Sequence, residues 1–158
     1  MRRALLLVAL GASVLALAVA AALATPPSGA TTTLITRATL GEFKAKNDGI
    51  KVQSLRRSAD IAIVKVAIEP GGSTGWHHHP GVGPAAVKSG AVTFYDARCH
   101  KTVYEAGEGF LESHDKPMLV RNEGDVKAVF YVTFIIPTRT PPEGLRIDDP
   151  RPRNCNVS

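Results

Sequence analysis

The sequence predicts a single domain of the all-β class, either a sandwich or a barrel built from short strands. Its 158 residues suit one domain. Turn-forming residues recur at intervals of about ten and separate short runs rich in β-branched and aromatic residues. No segment of useful length keeps the 3.6-residue period of an amphipathic helix.

The strands are located by the alternation of apolar and polar residues. In segment 59–70 the residues Ala62, Val64, Val66 and Ile68 fall on one face, which predicts a strand with one buried side. Segment 126–137 is apolar on both faces, which predicts a central strand or an interface. Further short strands are predicted at 91–96, 101–107 and 117–122.

Residues 1–24 have the features of a secretory signal peptide. Arg2 and Arg3 precede an unbroken apolar run, which ends with the small residues Ala22 and Ala24 at a suitable cleavage site. We therefore expect a secreted or periplasmic protein that leaves the membrane after cleavage. The alternative is an uncleaved membrane anchor, because the run is about long enough to span a bilayer.

The remaining boundaries follow from composition. Residues 25–33 are rich in turn-forming and threonine residues and are predicted to be a linker, and residues 34–137 form the β domain. Residues 138–158 are rich in proline and charge, so we expect an extended tail. Cys99 and Cys155 are the two cysteines, and in an exported protein they predict a disulfide that would hold this tail; two free thiols are the alternative.

Charge and motif content exclude several classes of function. The formal net charge is +5, or +3 without Arg2 and Arg3, and the basic residues are scattered rather than arranged in a stripe. Nucleic-acid binding is therefore not expected. The sequence also lacks a phosphate-binding glycine loop and the glycine frame of a serine-nucleophile elbow.

Three consecutive histidines between glycine turns are the strongest chemical signal. In an extended segment His77 and His79 share one face, whereas Trp76 and His78 share the other. Two imidazoles on one face can bind one ion, and neutral imidazole suits zinc, copper, iron and nickel. We expect His77 and His79 to point into the barrel and Trp76 and His78 to point out of it.

The spacing of these residues resembles the motifs of the cupin superfamily. Gly71, the pair His77-x-His79 and Gly90 are similar to its first motif, and segment 104–122 is similar to its second. The resemblance covers roughly residues 55–137 and is strongest to small exported bacterial cupins. It implies a double-stranded β-helix, a jelly-roll-like barrel that is usually a homodimer, with a pocket at its centre.

The metal-binding part of the resemblance is degenerate. The glutamate of the first cupin motif falls on Gly83 or Pro84, and the histidine of the second falls on Met118. Glu112 and His114 are substitute donors if their strand is regular. Met118 could also bind copper, or it could fill a pocket that no longer holds a metal. The donors favour copper or zinc ahead of iron.

Three functions follow from the resemblance and these departures from it. The first is binding of a small molecule, with or without a transition metal. The second is a metal-dependent oxidoreductase that uses His77, His79 and a substitute donor, and the third is an extracellular structural or interaction domain; whether the chain is an enzyme stays open. A metal-free pocket in which His114 and Asp115 transfer protons is a further alternative. The residues expected to line the pocket are Trp76, Phe94, Phe110, Val120 and Asn122.

Overall fold

The structure is a computed structural model that describes residues 25–54, 57–112 and 115–158. The expected signal peptide, residues 1–24, lies outside the described residues. No helix among the described residues is long and apolar enough to cross a membrane. The described part of the chain has one 3-10 helix, η1 (Pro142–Leu145). Its strands are β1 (Ser28–Leu40), β2 (Lys44–Asn47), β3 (Ile50–Gln53), β4 (Ala59–Ser73), β5 (His77–His78), β6 (Gly83–Ser89), β7 (Ala91–Tyr95), β8 (Lys101–Glu105), β9 (Gly109–Glu112), β10 (Leu119–Arg121), β11 (Ala128–Pro137) and β12 (Ile147–Asp148).

One antiparallel sheet forms most of the barrel. Its strand order is β8-β7-β10-β4-β11-β6-β9. Strand β1 is outside this order and pairs with β4 along its length. Neighbours such as β4 and β11 are far apart in sequence, as expected for a jelly-roll-like double-stranded β-helix. The central position of β11, between β4 and β6, confirms the prediction made from its apolar sequence.

The core lies inside the curved sheet and follows the predicted alternation. Ala62, Val64, Val66 and Ile68 are buried on the inner face of β4, while the residues between them are partly exposed. The inner face of β11 contributes Phe130, Val132, Phe134 and Ile136 to the same cluster. Each fully buried aliphatic or aromatic side chain of this kind stabilises the fold by about 2 kcal/mol.

The predicted linker is wrong for most of its length, because β1 begins at Ser28 and pairs with β4 from there to Leu40. The threonines at 31–33 are polar, as in a linker, but they are also β-branched, and β-branched residues suit a half-exposed strand. A partly buried ionic contact stabilises the end of the β1–β4 pairing near Leu40. Arg37 Nε donates to Asp60 Oδ2 at 2.8 Å, and Thr39 Oγ1 donates to Asp60 Oδ1 at 2.7 Å.

Residues 138–158, here called the C-terminal segment, are packed on the barrel and are not an extended tail. Strand β12 within this segment pairs with β5, and the Asp149 amide donates to the Trp76 carbonyl at 2.9 Å. The predicted disulfide joins Cys99 and Cys155, whose Cα atoms are 5.3 Å apart. The C-terminal segment is rich in proline and has no apolar period. Its position on the barrel therefore depends on the β12–β5 pairing, the Asp149–Trp76 hydrogen bond and the disulfide.

Trp76 is completely buried beneath the C-terminal segment. Its indole Nε1 donates to the Val157 carbonyl at 2.8 Å, and it packs in a second apolar cluster with Tyr95, Leu119 and Cys155. The C-terminal segment therefore forms a second small core together with the outer face of the barrel. This core fixes the segment beside the histidines.

Candidate functional site

A cavity of about 270 Å³ opens inside one end of the barrel. Its wall is mainly apolar and comes from β1, β4, β11 and the C-terminal segment. The apolar wall residues are Leu34, Val64, Val66, Phe130, Phe134, Pro142 and Leu145. The polar wall residues are Thr32, Thr74, His77, His79, Glu112 and Arg146.

Strand β5 presents the histidines to two different environments. His77 and His79 are buried and line the cavity. His78 faces the C-terminal segment instead, where its Nδ1 lies 2.7 Å from Asp149 Oδ2. This division is the alternation that an extended strand imposes, and it leaves Trp76 and His78 on the face opposite the cavity.

Backbone carbonyls orient both cavity histidines. His77 Nδ1 lies 2.8 Å from the Gly75 carbonyl, and His79 Nδ1 lies 2.5 Å from the Leu145 carbonyl. Since a carbonyl oxygen only accepts, each Nδ1 carries the hydrogen, and in the neutral ring Nε2 keeps a free lone pair. This is the tautomer that metal-binding histidines commonly adopt.

Burial, followed by the nearby charge of Arg146, holds the pKa of His77 well below its ordinary value of 6.5. The charges of His79 and His78 act in the same direction, and the hydrogen bond to Gly75 opposes them. His77 is therefore a neutral imidazole at pH 7, able to accept a hydrogen bond or bind a metal.

Glu112, on β9, meets His79 across the cavity. Its Oε2 lies 3.1 Å from His79 Nε2, both side chains are buried, and neither atom has a hydrogen-bond partner. Both atoms are acceptors when His79 is neutral and Glu112 is ionised. Such a buried contact requires either a shared proton or a cation between the two atoms.

The register of β6 and β9 explains how Glu112 reaches this position. Gly83, where the resemblance puts the missing cupin glutamate, is paired directly with Glu112. A Cβ atom on Gly83 would lie 2.6 Å from Cε1 of Phe134, whose ring centroid is 4.4 Å from that of His79. The aromatic ring thus excludes a side chain at position 83, and the neighbouring strand supplies a carboxylate on the same face.

The other proposed donors are placed differently. Met118 is buried and is the cross-strand backbone partner of His77, but it is not in the described cavity wall and borders a separate surface depression with Phe94 and Asp96. His114 lies outside the described residues. Within the described ranges, no group of three His, Cys, Asp or Glu side chains is arranged to hold a metal ion.

The predicted pocket lining is wrong, because none of its five residues is in the described wall of the cavity. Phe94, Phe110 and Val120 belong to the core, where Phe110 packs on Phe130 with ring centroids 5.4 Å apart. The Asn122 side-chain amide donates to the Ile68 carbonyl at 2.9 Å and to the Val126 carbonyl at 2.8 Å, so it holds the turn after β10 against β4. These residues therefore pack the core or hold a turn, and they are not in the described cavity wall.

The sequence pattern indicates only some of the cavity residues that the pocket prediction missed. Val64 and Val66 lie on the face that alternation predicts to be buried, so the sequence could have identified them. Phe130 and Phe134 lie in a segment that is apolar on both faces, so alternation does not select them. Arg146 is in a segment without periodicity, and nothing in its local sequence indicates that it borders a cavity.

The comparisons with known proteins identify the fold. No protein-family model matches the sequence, and neither does any curated protein. A conserved protein with a double-stranded β-helix domain from Klebsiella pneumoniae subsp. pneumoniae has 15% identity and a TM-score of 0.52, over 72% of this chain and 79% of that one.

Two further solved structures have lower scores. The Cupin_2 domain of an XRE family transcriptional regulator from Enterobacter cloacae has 13% identity and a TM-score of 0.49, over 70% of this chain and 99% of that one. An oxalate oxidase in complex with glycolate has 23% identity and a TM-score of 0.44, over 47% of this chain and 41% of that one. With the strand order described above, the similarity to the Klebsiella protein shows that this chain has a double-stranded β-helix fold.

Proposed function

We propose that the protein binds a small molecule in the cavity at the His77 end of its barrel. The observation that carries this proposal is an apolar wall with a few polar groups gathered at one side. Binding sites for small molecules commonly have this composition, with volumes from about 300 Å³ upward. A cavity of about 270 Å³ therefore suits a compact ligand.

A cavity-filling variant tests this proposal. Val64 lines the cavity and is 3% exposed, so Val64→Phe adds volume within the site. Val103 is 53% exposed and outside the cavity wall, which makes Val103→Phe the matched control. In a fragment screen by ¹H–¹⁵N NMR, the parent and the control should share ligands that Val64→Phe does not bind. Ligands that bind all three proteins equally would contradict the proposal.

A transition metal at the polar side of the cavity is the second function that we propose. It is supported by the two buried acceptors of His79 and Glu112, which face each other without a hydrogen-bond partner. Imidazole and carboxylate donors suit zinc or iron better than a copper site using the Met118 thioether. A third donor would have to come from His77, which lines the same cavity but would need to move to join the pair. A bound metal would supply Lewis acidity at the cavity wall.

Zinc titration calorimetry on untagged protein tests the metal site. We expect His79→Ala to lower zinc affinity at least tenfold. His100, which is exposed and pairs with Asp96, provides the control variant His100→Ala. Equal zinc affinity in the parent and in His79→Ala would exclude zinc binding at this site.

We also propose that the protein functions outside the cytoplasm. The Cys99–Cys155 disulfide supports this, since disulfides persist in oxidising compartments. Mass spectrometry of the exported protein should find its first residue at or near Thr25, and an intact Met1 would contradict cleavage. The homodimer implied by the cupin resemblance stays a prediction.

A further inference from the structure

We propose that the cavity selects a carboxylate ligand and that Arg146 of the C-terminal segment binds the carboxylate group. This inference rests on the proposed small-molecule site and adds the chemical class of its ligand. It also gives the C-terminal segment a role in recognition, because Arg146 reaches the cavity from that segment.

Arg146 lines the cavity, and its guanidinium has a donor without a partner. Its Nε donates to Asp148 Oδ1 at 2.6 Å, whereas its Nη2 is buried and has no hydrogen-bond partner. A buried donor on a charged group that lacks a partner is costly. A ligand acceptor would remove this cost, and a carboxylate matches the planar guanidinium better than a neutral oxygen does.

The charges around the cavity favour an anion. Asp148 is the ionic partner of Arg146, but its side chain is 46% exposed, so water screens its charge. Glu112 is the only carboxylate in the described wall, and its Oε2 lies 3.1 Å from His79 Nε2. Arg146 is the only arginine or lysine in the described wall, so it is the cationic group that an anionic ligand would meet there.

The other polar groups do not compete for this ligand. Thr74 Oγ1 donates to the Gly75 carbonyl and accepts from the Val120 amide at 3.0 Å. His77 is neutral, and it lines the same cavity as Arg146, so it offers no second positive charge to an anionic ligand. The fit is therefore a carboxylate with a compact apolar body that contacts Val64, Val66 and Phe130.

Calorimetry with matched acids and amides tests the inference on the untagged full-length protein. Benzoate and hexanoate are compared with benzamide and hexanamide at pH 7.5, so each pair differs mainly in charge. We expect each acid to bind the parent at least tenfold more tightly than its amide. Arg146→Gln should remove this preference while leaving amide affinity within about twofold, and Asp148→Asn should strengthen acid binding.

Two controls separate recognition from folding and from general charge. Arg151 is an exposed residue of the same segment outside the cavity wall, so Arg151→Gln should keep the acid preference. Arg146→Lys keeps the charge without the planar group, and it should bind acids with intermediate affinity.

The results that would overturn the inference are distinct from failure of the proposed function. Equal affinity for acids and amides would exclude carboxylate selection. If Val64→Phe abolishes that binding, the cavity is still the binding site. An acid preference that persists in Arg146→Gln would exclude Arg146. If none of the four probes binds the parent, carboxylate selection is wrong, and the fragment screen still decides whether the cavity binds other molecules.

Discussion

His79 Nε2 lies 3.1 Å from Glu112 Oε2 in the buried wall of the cavity, and neither atom has a hydrogen-bond partner. The His79 ring is fixed by its Nδ1 contact with the Leu145 carbonyl at 2.5 Å, so Nε2 cannot turn away without breaking that bond. The pair therefore holds a proton or a cation at a defined point. His79 therefore contacts both the C-terminal segment, through Leu145, and strand β9, through Glu112.

Replacing Glu112 with glutamine tests whether the His79–Glu112 pair holds a proton or a cation. The amide can donate to His79 Nε2 and satisfy both atoms without a cation. We expect Glu112→Gln to stabilise the metal-free protein by about 1 kcal/mol and to lower zinc affinity at least tenfold. Denaturant unfolding in EDTA and zinc calorimetry measure the two effects, with the exposed Glu143→Gln as control. Unchanged zinc affinity would remove Glu112 from the donor set.

The disulfide should stabilise both the fold and the burial of Trp76. Cys155→Ser should lower the free energy of unfolding by about 2–4 kcal/mol, because the closed loop of 56 residues is released. It should also increase quenching of Trp76 fluorescence by acrylamide, since the segment that covers the indole is freed. Reduction of the parent protein should reproduce both changes. Continued protection of Trp76 would show that the segment binds without the disulfide.

Asp60 should make the protein sensitive to acid. Hydrogen bonds from Thr39 and then Arg37 lower the pKa of Asp60 below its ordinary value of 3.8, against a smaller opposing effect of burial. A lowered folded-state pKa contributes stability above the unfolded-state pKa, and this stability is lost as the pH falls through the folded-state value. Asp60→Asn should therefore unfold more easily at pH 7 and show a flatter loss of stability below pH 4. An identical acid profile in parent and variant would contradict this role.

Gly83 should not tolerate even alanine. A Cβ there would lie 2.6 Å from Cε1 and 2.8 Å from Cδ1 of Phe134, so the ring must move towards its neighbour His79. We expect Gly83→Ala to destabilise the fold by about 1–3 kcal/mol and to shift the His79 ring signals in NMR spectra. Gly41 has open space around its Cβ position, which makes Gly41→Ala the control. A stable Gly83→Ala protein with unchanged His79 signals would contradict the packing argument.

The barrel was predictable from sequence because its core obeys a local rule. Alternation along β4 and β11 identified Val64, Val66 and the central position of β11 before any pairing was known. The same rule separated His77 from His78. The threonines of β1 misled because polar β-branched residues occur both in linkers and in exposed strands.

The rest of the site depends on contacts between distant segments. The sequence indicates Met118, His114 and Glu112 as possible further donors, and only the pairing of Gly83 with Glu112 places Glu112 at the cavity. Arg146 reaches the cavity because β12 pairs with β5, which are about 70 residues apart in sequence. Local periodicity contains no information about either pairing.

The most direct test of the account is to locate a bound ligand by NMR in protein with labelled valine methyl groups. Benzoate, or a hit from the fragment screen, is added, and intermolecular nuclear Overhauser effects are recorded. We predict contacts from the ligand to the methyl groups of Val64 and Val66, which line the cavity, and none to the exposed Val103. Contacts confined to surface methyl groups, with Val64 and Val66 silent while the ligand is bound, would contradict the claim that the cavity is the binding site.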